Sequence, residues 1–285
     1  EWYRTFQAFR ARLVDCVDAV LEQLAAEPGF RFLLDGQTVV LEDYLQIRPH
    51  RKAELRRAVG QGRLAIGPWY VQPDSLLPGG EAHIRNLAMG RRAGALIGPV
   101  SGVAYTPDSF GHPAQLPQLF EGFGLRAFIY WRGNGNEMRE LPNEYRWCAP
   151  DGSAVTACLL PRGYNNGAFL PGDTSKAIKV LKIVYLEAIE NSEQPSVLIM
   201  NGVDHAAPHP DAMALARGLG EALDVEVRVG LLDEFVDTLE APLPEYRGNL
   251  TGAKLANLLP GVWSARMPLK RANRRIESRL QSWAE

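Results

Sequence analysis

The chain is 285 residues long, 46% hydrophobic and 22% charged, with a formal net charge of −2 at pH 7. That length holds one large α/β domain with a full core, or one such domain and the start of another. The near-neutral charge excludes the electrostatic footprint of a nucleic-acid or anionic-membrane binder, and no run of about 18 apolar residues offers a transmembrane helix. Three cysteines (Cys16, Cys148 and Cys158) show no CxxC pairing and leave an odd count, which points to a reduced, cytoplasmic protein.

In chain order, Phe6, Phe9, Leu13, Val14, Val17, Val20, Leu21 and Leu24 recur at helical spacing and predict a helix over 5–25, stopped by Pro28-Gly29. A short strand follows at 30–34, then helices at 38–47 and 50–61 separated by Pro49, a strand at 64–71 and a helix at 81–97. A strand at 102–106 leads into Pro107-Asp108-Ser109-Phe110-Gly111-His112, then come a helix at 114–122 and a strand at 127–131. Segments 144–148 and 155–160 flank Asp151-Gly152, the signature of a hairpin turn. A helix at 174–190, a strand at 196–200, a helix at 211–222, a strand at 225–230 and a helix at 231–239 complete the alternation. Beyond Pro242 the character changes to prolines and glycines, then a basic helix over 262–284. The expected domains are therefore 1–250, an α/β unit, and 251–285, the first helix of a helical domain. The absence of a leading Met or strand before Glu1 marks the chain as a piece of something longer. Strands alternating with helices imply a mostly parallel sheet, and about seven units fit a seven-stranded (β/α) barrel, with an open doubly wound sheet as the alternative.

In both architectures chemistry gathers at the carboxyl ends of the strands. Three ends carry suitable side chains: Asp108, Phe110 and His112 after 102–106; Asn201, Asp204 and His205 after 196–200; and Arg132, beside Trp131, after 127–131. Singly, each has a plainer role. An aspartate between a strand and a helix is commonly an N-cap, worth about 1 kcal/mol. His205 suits a loop histidine, and Arg132 a surface residue. His205 and His209 share an i,i+4 spacing, but Pro208 denies them a regular helix. Together, two carboxylates, an arginine and the aromatics Trp2, Trp69, Tyr70, Phe110, Trp131 and Tyr164 compose a pocket suited to a sugar, with the pair of acids that glycosidic cleavage uses.

Six blocks then carry a resemblance: Glu1-Trp-Tyr-Arg-Thr-Phe6, Leu34-Asp-Gly-Gln-Thr38, Gly67-Pro-Trp-Tyr70, Pro107-Asp-Ser-Phe-Gly-His112, Gly163-Tyr-Asn-Asn166 and Met200-Asn-Gly-Val-Asp-His205. In this order the chain resembles glycoside hydrolase family 38, the α-mannosidases, in its bacterial branch, over essentially its whole length. The resemblance implies a (β/α)7 catalytic barrel lacking its N-terminal strand here, followed by a helical bundle. It implies retaining hydrolysis of terminal α-D-mannosides assisted by one divalent cation, usually zinc. Asp108 matches the nucleophile and metal ligand, Asp204 the acid/base and Arg132 the arginine that steadies the nucleophile. Trp2, Phe110 and Tyr164 match substrate-binding positions. The family takes two metal ligands from a His-x-His-Trp-Asp motif that would precede Glu1, and a further histidine from a His-Asp-x-Leu-Pro-Gly setting. The comparable Leu255-Ala-Asn-Leu-Leu-Pro-Gly261 has no histidine, which makes His205 the substitute ligand. The expected substrate is an α-mannoside oligosaccharide or a small mannosylated solute, with no nucleic-acid or membrane partner and room for a homo-oligomer. Two alternatives stay open: a metal-dependent carbohydrate deacetylase, and a catalytically silent carbohydrate-binding domain.

Overall fold

The structure, a computed structural model, describes residues 3–284. Helix α1 (Phe6–Ala26) is capped by the Thr5 side chain and buries Val14, Val17, Val20, Leu21 and Leu24, a stripe at helical period. That stripe packs on α2 (Val39–Ile47) and α3 (Lys52–Gly60), around the parallel pair β1 (Phe32–Leu33) and β2 (Leu64–Ala65). Next come α4 (Gly80–Gly94), β3 (Val103–Thr106), α5 (Leu116–Gly122) and β4 (Ala127–Tyr130). The hairpin foreseen around Asp151-Gly152 forms from β5 (Glu144–Cys148) and β6 (Ala154–Leu159). Gly152 takes φ +96° in its turn, a region open to glycine, and Asp151 accepts from the Ser153 amide at 3.1 Å. Helices α6 (Thr174–Glu190), α7 (Ala212–Leu223) and α8 (Leu232–Val236), strand β7 (Glu245–Arg247) and helices α9 (Gly261–Ser264) and α10 (Met267–Ala284) follow.

The fold is α/β, but its ladders differ from the expected barrel. Among the described residues the strands form two sheets, β1-β2 and β3-β4-β6-β5-β7, rather than a ring of seven. The two sheets meet where the Ser101 amide donates to the Ile66 carbonyl at 2.9 Å. The physical reason lies in the hairpin: β5 runs antiparallel along the second edge of β6, so the segment 196–200 finds no edge to join. Its backbone is satisfied otherwise, with the Met200 amide donating to Asn166 Oδ1 at 2.7 Å and the Met200 carbonyl accepting from the Gly167 amide at 2.9 Å. The expected strand at 225–230 also stands outside both ladders. Conversely, β7 falls where a linker was expected and pairs in parallel with β5, because the Arg146 amide reaches the Pro244 carbonyl at 2.8 Å.

Alternation along β3, β4 and β6 sorts the core by face. Val103, Tyr105, Ala127, Ile129, Cys158 and Leu160 share one side with Leu33, Leu198 and Met200, and α8 covers it with Leu232 and Phe235. Ala104, Phe128, Tyr130, Ala157 and Leu159 share the other side with Trp69, Phe120 and Trp147.

His112 closes that second core. It is fully buried, edge-on to Phe128 and Tyr130, with Nδ1 3.1 Å from Ser75 Oγ and no partner for Nε2 among the described residues. Burial, aided by neighbouring His83, pushes its pKa down to about 3, and burial lowers that of His83 as well. Both rings therefore stay neutral in the fold where histidines of the unfolded chain protonate. The unfolded state binds more protons below about pH 6.5, so stability falls as pH drops through that value. Urea unfolding at pH 7.5 and pH 5.5 is expected to show a loss of about 1 kcal/mol or more. Equal midpoints and slopes at the two pH values would contradict this.

Candidate active site

Register builds the site. β3 and β4 are parallel with Thr106 opposite Tyr130, so two residues further on Asp108 lies opposite Arg132. Arg132 Nε donates to Asp108 Oδ1 at 2.6 Å. The arginine side chain is only 11% exposed and its guanidinium lies 4.0 Å from the Trp131 ring centroid and 5.4 Å from that of Phe110. Arg132 Nη1 also donates to the Asn257 carbonyl. The Asp108 side chain is 40% exposed, so Arg132 orients a carboxylate that remains open to solvent. Asp108 caps no helix: α5 has Gln115 at its N-cap. Its loop is tied down by Ser109 Oγ donating to the Pro73 carbonyl and by the Phe110 amide donating to Asp74 Oδ1 at 3.1 Å.

The second carboxylate enters from the segment after Met200. Tyr164 stacks edge-on against Trp131 and its hydroxyl donates to Asp204 Oδ2 at 3.2 Å. Gly163 permits this approach, since at φ +90° a Cβ there would lie 3.1 Å from the Trp131 ring. Burial raises the Asp108 pKa above the usual carboxylate range. The Arg132 hydrogen bond and charge oppose that rise, Asp204 adds to it, and the nearby Tyr164 hydroxyl favours ionised Asp108. Burial and the charges of Asp108 and Asp204 push the Tyr164 phenol upward, so it serves as a neutral donor standing between two acids.

Asp108, Asp204, Arg132, Phe110 and Tyr164 are thus brought together. His205 Nδ1 lies 2.8 Å from the Tyr3 hydroxyl, and its ring packs against Phe9 at 4.5 Å. Trp2 lies outside the described residues. No group of three or more His, Cys, Asp or Glu that could hold a metal is found among the described residues. The strand-end rule, applied to β1 as to the others, also finds Asp35, which sequence analysis passed over. Its Oδ2 accepts from Gln37 Nε2 at 2.7 Å and its Oδ1 from Gln72 Nε2 at 3.1 Å.

Two carboxylic acids brought together in one site are what glycosidic cleavage uses. The model of the glycosyl hydrolases family 38 N-terminal domain matches residues 1–252. The chain belongs to this family. Among family 38 relatives and other similar proteins, a protein of Halalkalibacterium halodurans named "Putative mannosylglycerate hydrolase" is 35% identical over the whole chain, which covers 34% of that protein. Alpha-mannosidase G of Dictyostelium discoideum is 22% identical over 99% of the chain and 26% of its own length. A crystal structure of an alpha-mannosidase from Enterococcus faecalis V583 superposes with a TM-score of 0.82 and 31% identity, over 88% of this chain and 29% of that one. The chain thus spans about a third of the length of these proteins. Among the described residues no helix is long and apolar enough to cross a membrane.

Proposed function

We propose that the protein hydrolyses terminal α-D-mannosides with retention of configuration, through the catalytic unit formed by residues 1–250, and that residues 251–285 begin a helical domain. The observation that carries this reading is the Asp108–Arg132 pair at 2.6 Å, with Tyr164 linking the same pocket to Asp204. Asp108 Oδ2, the oxygen that Arg132 Nε does not hold, attacks the anomeric carbon. The bond from that carbon to the leaving oxygen breaks, and Asp204 delivers its proton to that oxygen. Asp204, now a carboxylate, then takes a proton from water as the water displaces Asp108 from the sugar. Arg132 holds Asp108 in orientation throughout and favours its anionic form.

The resemblance assigns one divalent cation, usually zinc, to such enzymes, with Asp108 as a ligand; His205 is the substitute for a family histidine that this chain lacks. The described residues do not assemble a ligand set, and His205 is engaged with Tyr3 and Phe9, so the steps above are assigned to side chains alone. The family match favours glycoside hydrolysis over the deacetylase reading. The name of the Halalkalibacterium relative supports a small mannosylated solute as substrate beside α-mannoside oligosaccharides. The free thiols Cys16, Cys148 and Cys158 fit a cytoplasmic setting.

The full-length protein is expected to hydrolyse a nitrophenyl α-mannoside and to release the α-anomer first, as read by NMR. Asp204→Asn should lower turnover of an alkyl mannoside by about 10²–10⁴-fold, with a smaller loss for the nitrophenyl compound, whose leaving group needs little protonation. An inactive parent protein, or a first product of β configuration, would overturn the proposal.

A further inference from the structure

Tyr105 is the inward side chain of β3 three residues before Asp108. It is 4% exposed and packed in the same cluster as Trp131 and Tyr164. The turn at the end of β1 presses on it: a Cβ on Gly36 would lie 3.1 Å from Tyr105 Cβ and 3.2 Å from its carbonyl. The Asp35 that precedes this turn is thereby set beside the tyrosine. Asp35, Tyr164, Asp204 and Asp108 all lie within Coulombic reach of the phenol and, after burial itself, hold it in its neutral form. Yet no hydrogen bond reaches the Tyr105 hydroxyl among the described residues, whereas the Tyr164 hydroxyl is occupied by Asp204.

The residue is 4% exposed, yet its hydroxyl is not among the side-chain polar atoms sealed from solvent without a partner, so this donor stays accessible beside the acids instead of being closed into the core. Carboxylates can only accept, so each sugar hydroxyl that donates to one of them is left with unmet lone pairs. A neutral donor in the same pocket supplies what the acids cannot. We propose that Tyr105 is a substrate-contacting residue whose hydroxyl donates a hydrogen bond to one ring hydroxyl of the bound glycon, and so takes part in sugar selection. The inference rests on the glycoside reading and deepens it.

The test is Tyr105→Phe in the full-length protein, which keeps the ring and removes the hydroxyl alone. The melting temperature is expected to stay within about 2 °C of the parent, since the fold gives that hydroxyl no bond to lose. kcat/KM for the nitrophenyl α-mannoside should fall about 10- to 100-fold. In a series of monodeoxy mannosides the parent should be penalised at the contacted position and the variant should lose that penalty at one position only. Three results would overturn the inference: activity within about twofold of the parent, a uniform loss across the deoxy series, or a drop of more than about 5 °C in melting temperature. Should the parent hydrolyse no glycoside, calorimetry with methyl α-mannoside decides. Binding weakened about tenfold or more in the variant supports the contact, while equal affinity, or no binding to either protein, overturns it.

Discussion

Alanine at position 108 of the full-length protein is expected to lower kcat by about 10⁴-fold or more, the scale seen when a covalent nucleophile is removed. The loss should be chemical rather than structural, because the loop around Asp108 is held by bonds that the carboxylate does not make. Ser109 and Phe110 are anchored to Pro73 and Asp74, and the His112 amide and carbonyl exchange 2.8 Å bonds with Leu250. Arg132 is largely buried but keeps its stacking on Trp131 and its bond to Asn257, which hold the cost of removing its partner to about 1–3 kcal/mol. A small external anion such as azide should restore part of the turnover and give a glycosyl azide of inverted configuration. The pH profile carries the same assignment. Burial lifts the Asp108 carboxyl above the usual range, so the acidic limb of kcat/KM should lie above that of an ordinary aspartate, since only the anion attacks. Melting within about 5 °C of the parent, with turnover unchanged, would contradict the nucleophile assignment.

Gly252→Ala is expected to cost about 2–4 kcal/mol of stability and to lower kcat/KM about 100-fold through a position that touches no substrate. A Cβ there would lie 2.2 Å from Cα and N of Gly135 and 2.5 Å from the Asn134 carbonyl carbon, all backbone atoms that cannot swing aside. Across the interface Gly133, at φ +123°, also meets Leu250 closely, with its built Cβ 2.6 Å from the Leu250 carbonyl oxygen. These two glycines let the 250–254 segment lie along the chain just past Arg132, through the Gly252 amide to the Gly133 carbonyl at 2.8 Å and the Lys254 amide to the Asn134 carbonyl at 2.9 Å. The same segment runs on to Asn257, whose carbonyl holds the guanidinium, so separating the backbones loosens the group that orients Asp108. Gly60→Ala provides the control, because a Cβ there meets nothing within 4 Å and replacing a glycine at an unstrained site is neutral or mildly stabilising. Equal unfolding midpoints for Gly252→Ala and the parent would show that the contact is not tight.

Much of this was legible in local pattern. The α1 stripe, the Asp151-Gly152 hairpin and the strand ending at Thr106 each follow from periodicity or turn chemistry that a short window contains. The opposition of Asp108 and Arg132 follows from parallel register once β3 and β4 are neighbours. What stayed hidden depends on pairing between distant segments. Residues 196–200 carry as apolar a run as any strand, yet they stand outside the ladder because β5 already occupies the neighbouring edge of β6. β7 is short and half exposed, so no hydrophobic alternation announced it. Tyr105 reads in sequence as one more aromatic of a buried strand. Only the placement of Asp35, Asp108, Asp204 and Tyr164 around it distinguishes its hydroxyl from core filling.

The most direct test of the central claim is to trap the glycosyl-enzyme. Incubation of the full-length protein with a fluorinated mannoside bearing a good leaving group, followed by proteolysis and mass spectrometry, should place one fluoromannosyl ester on Asp108. An ester on Asp204 or another residue, or steady turnover without any covalent species, would contradict the account.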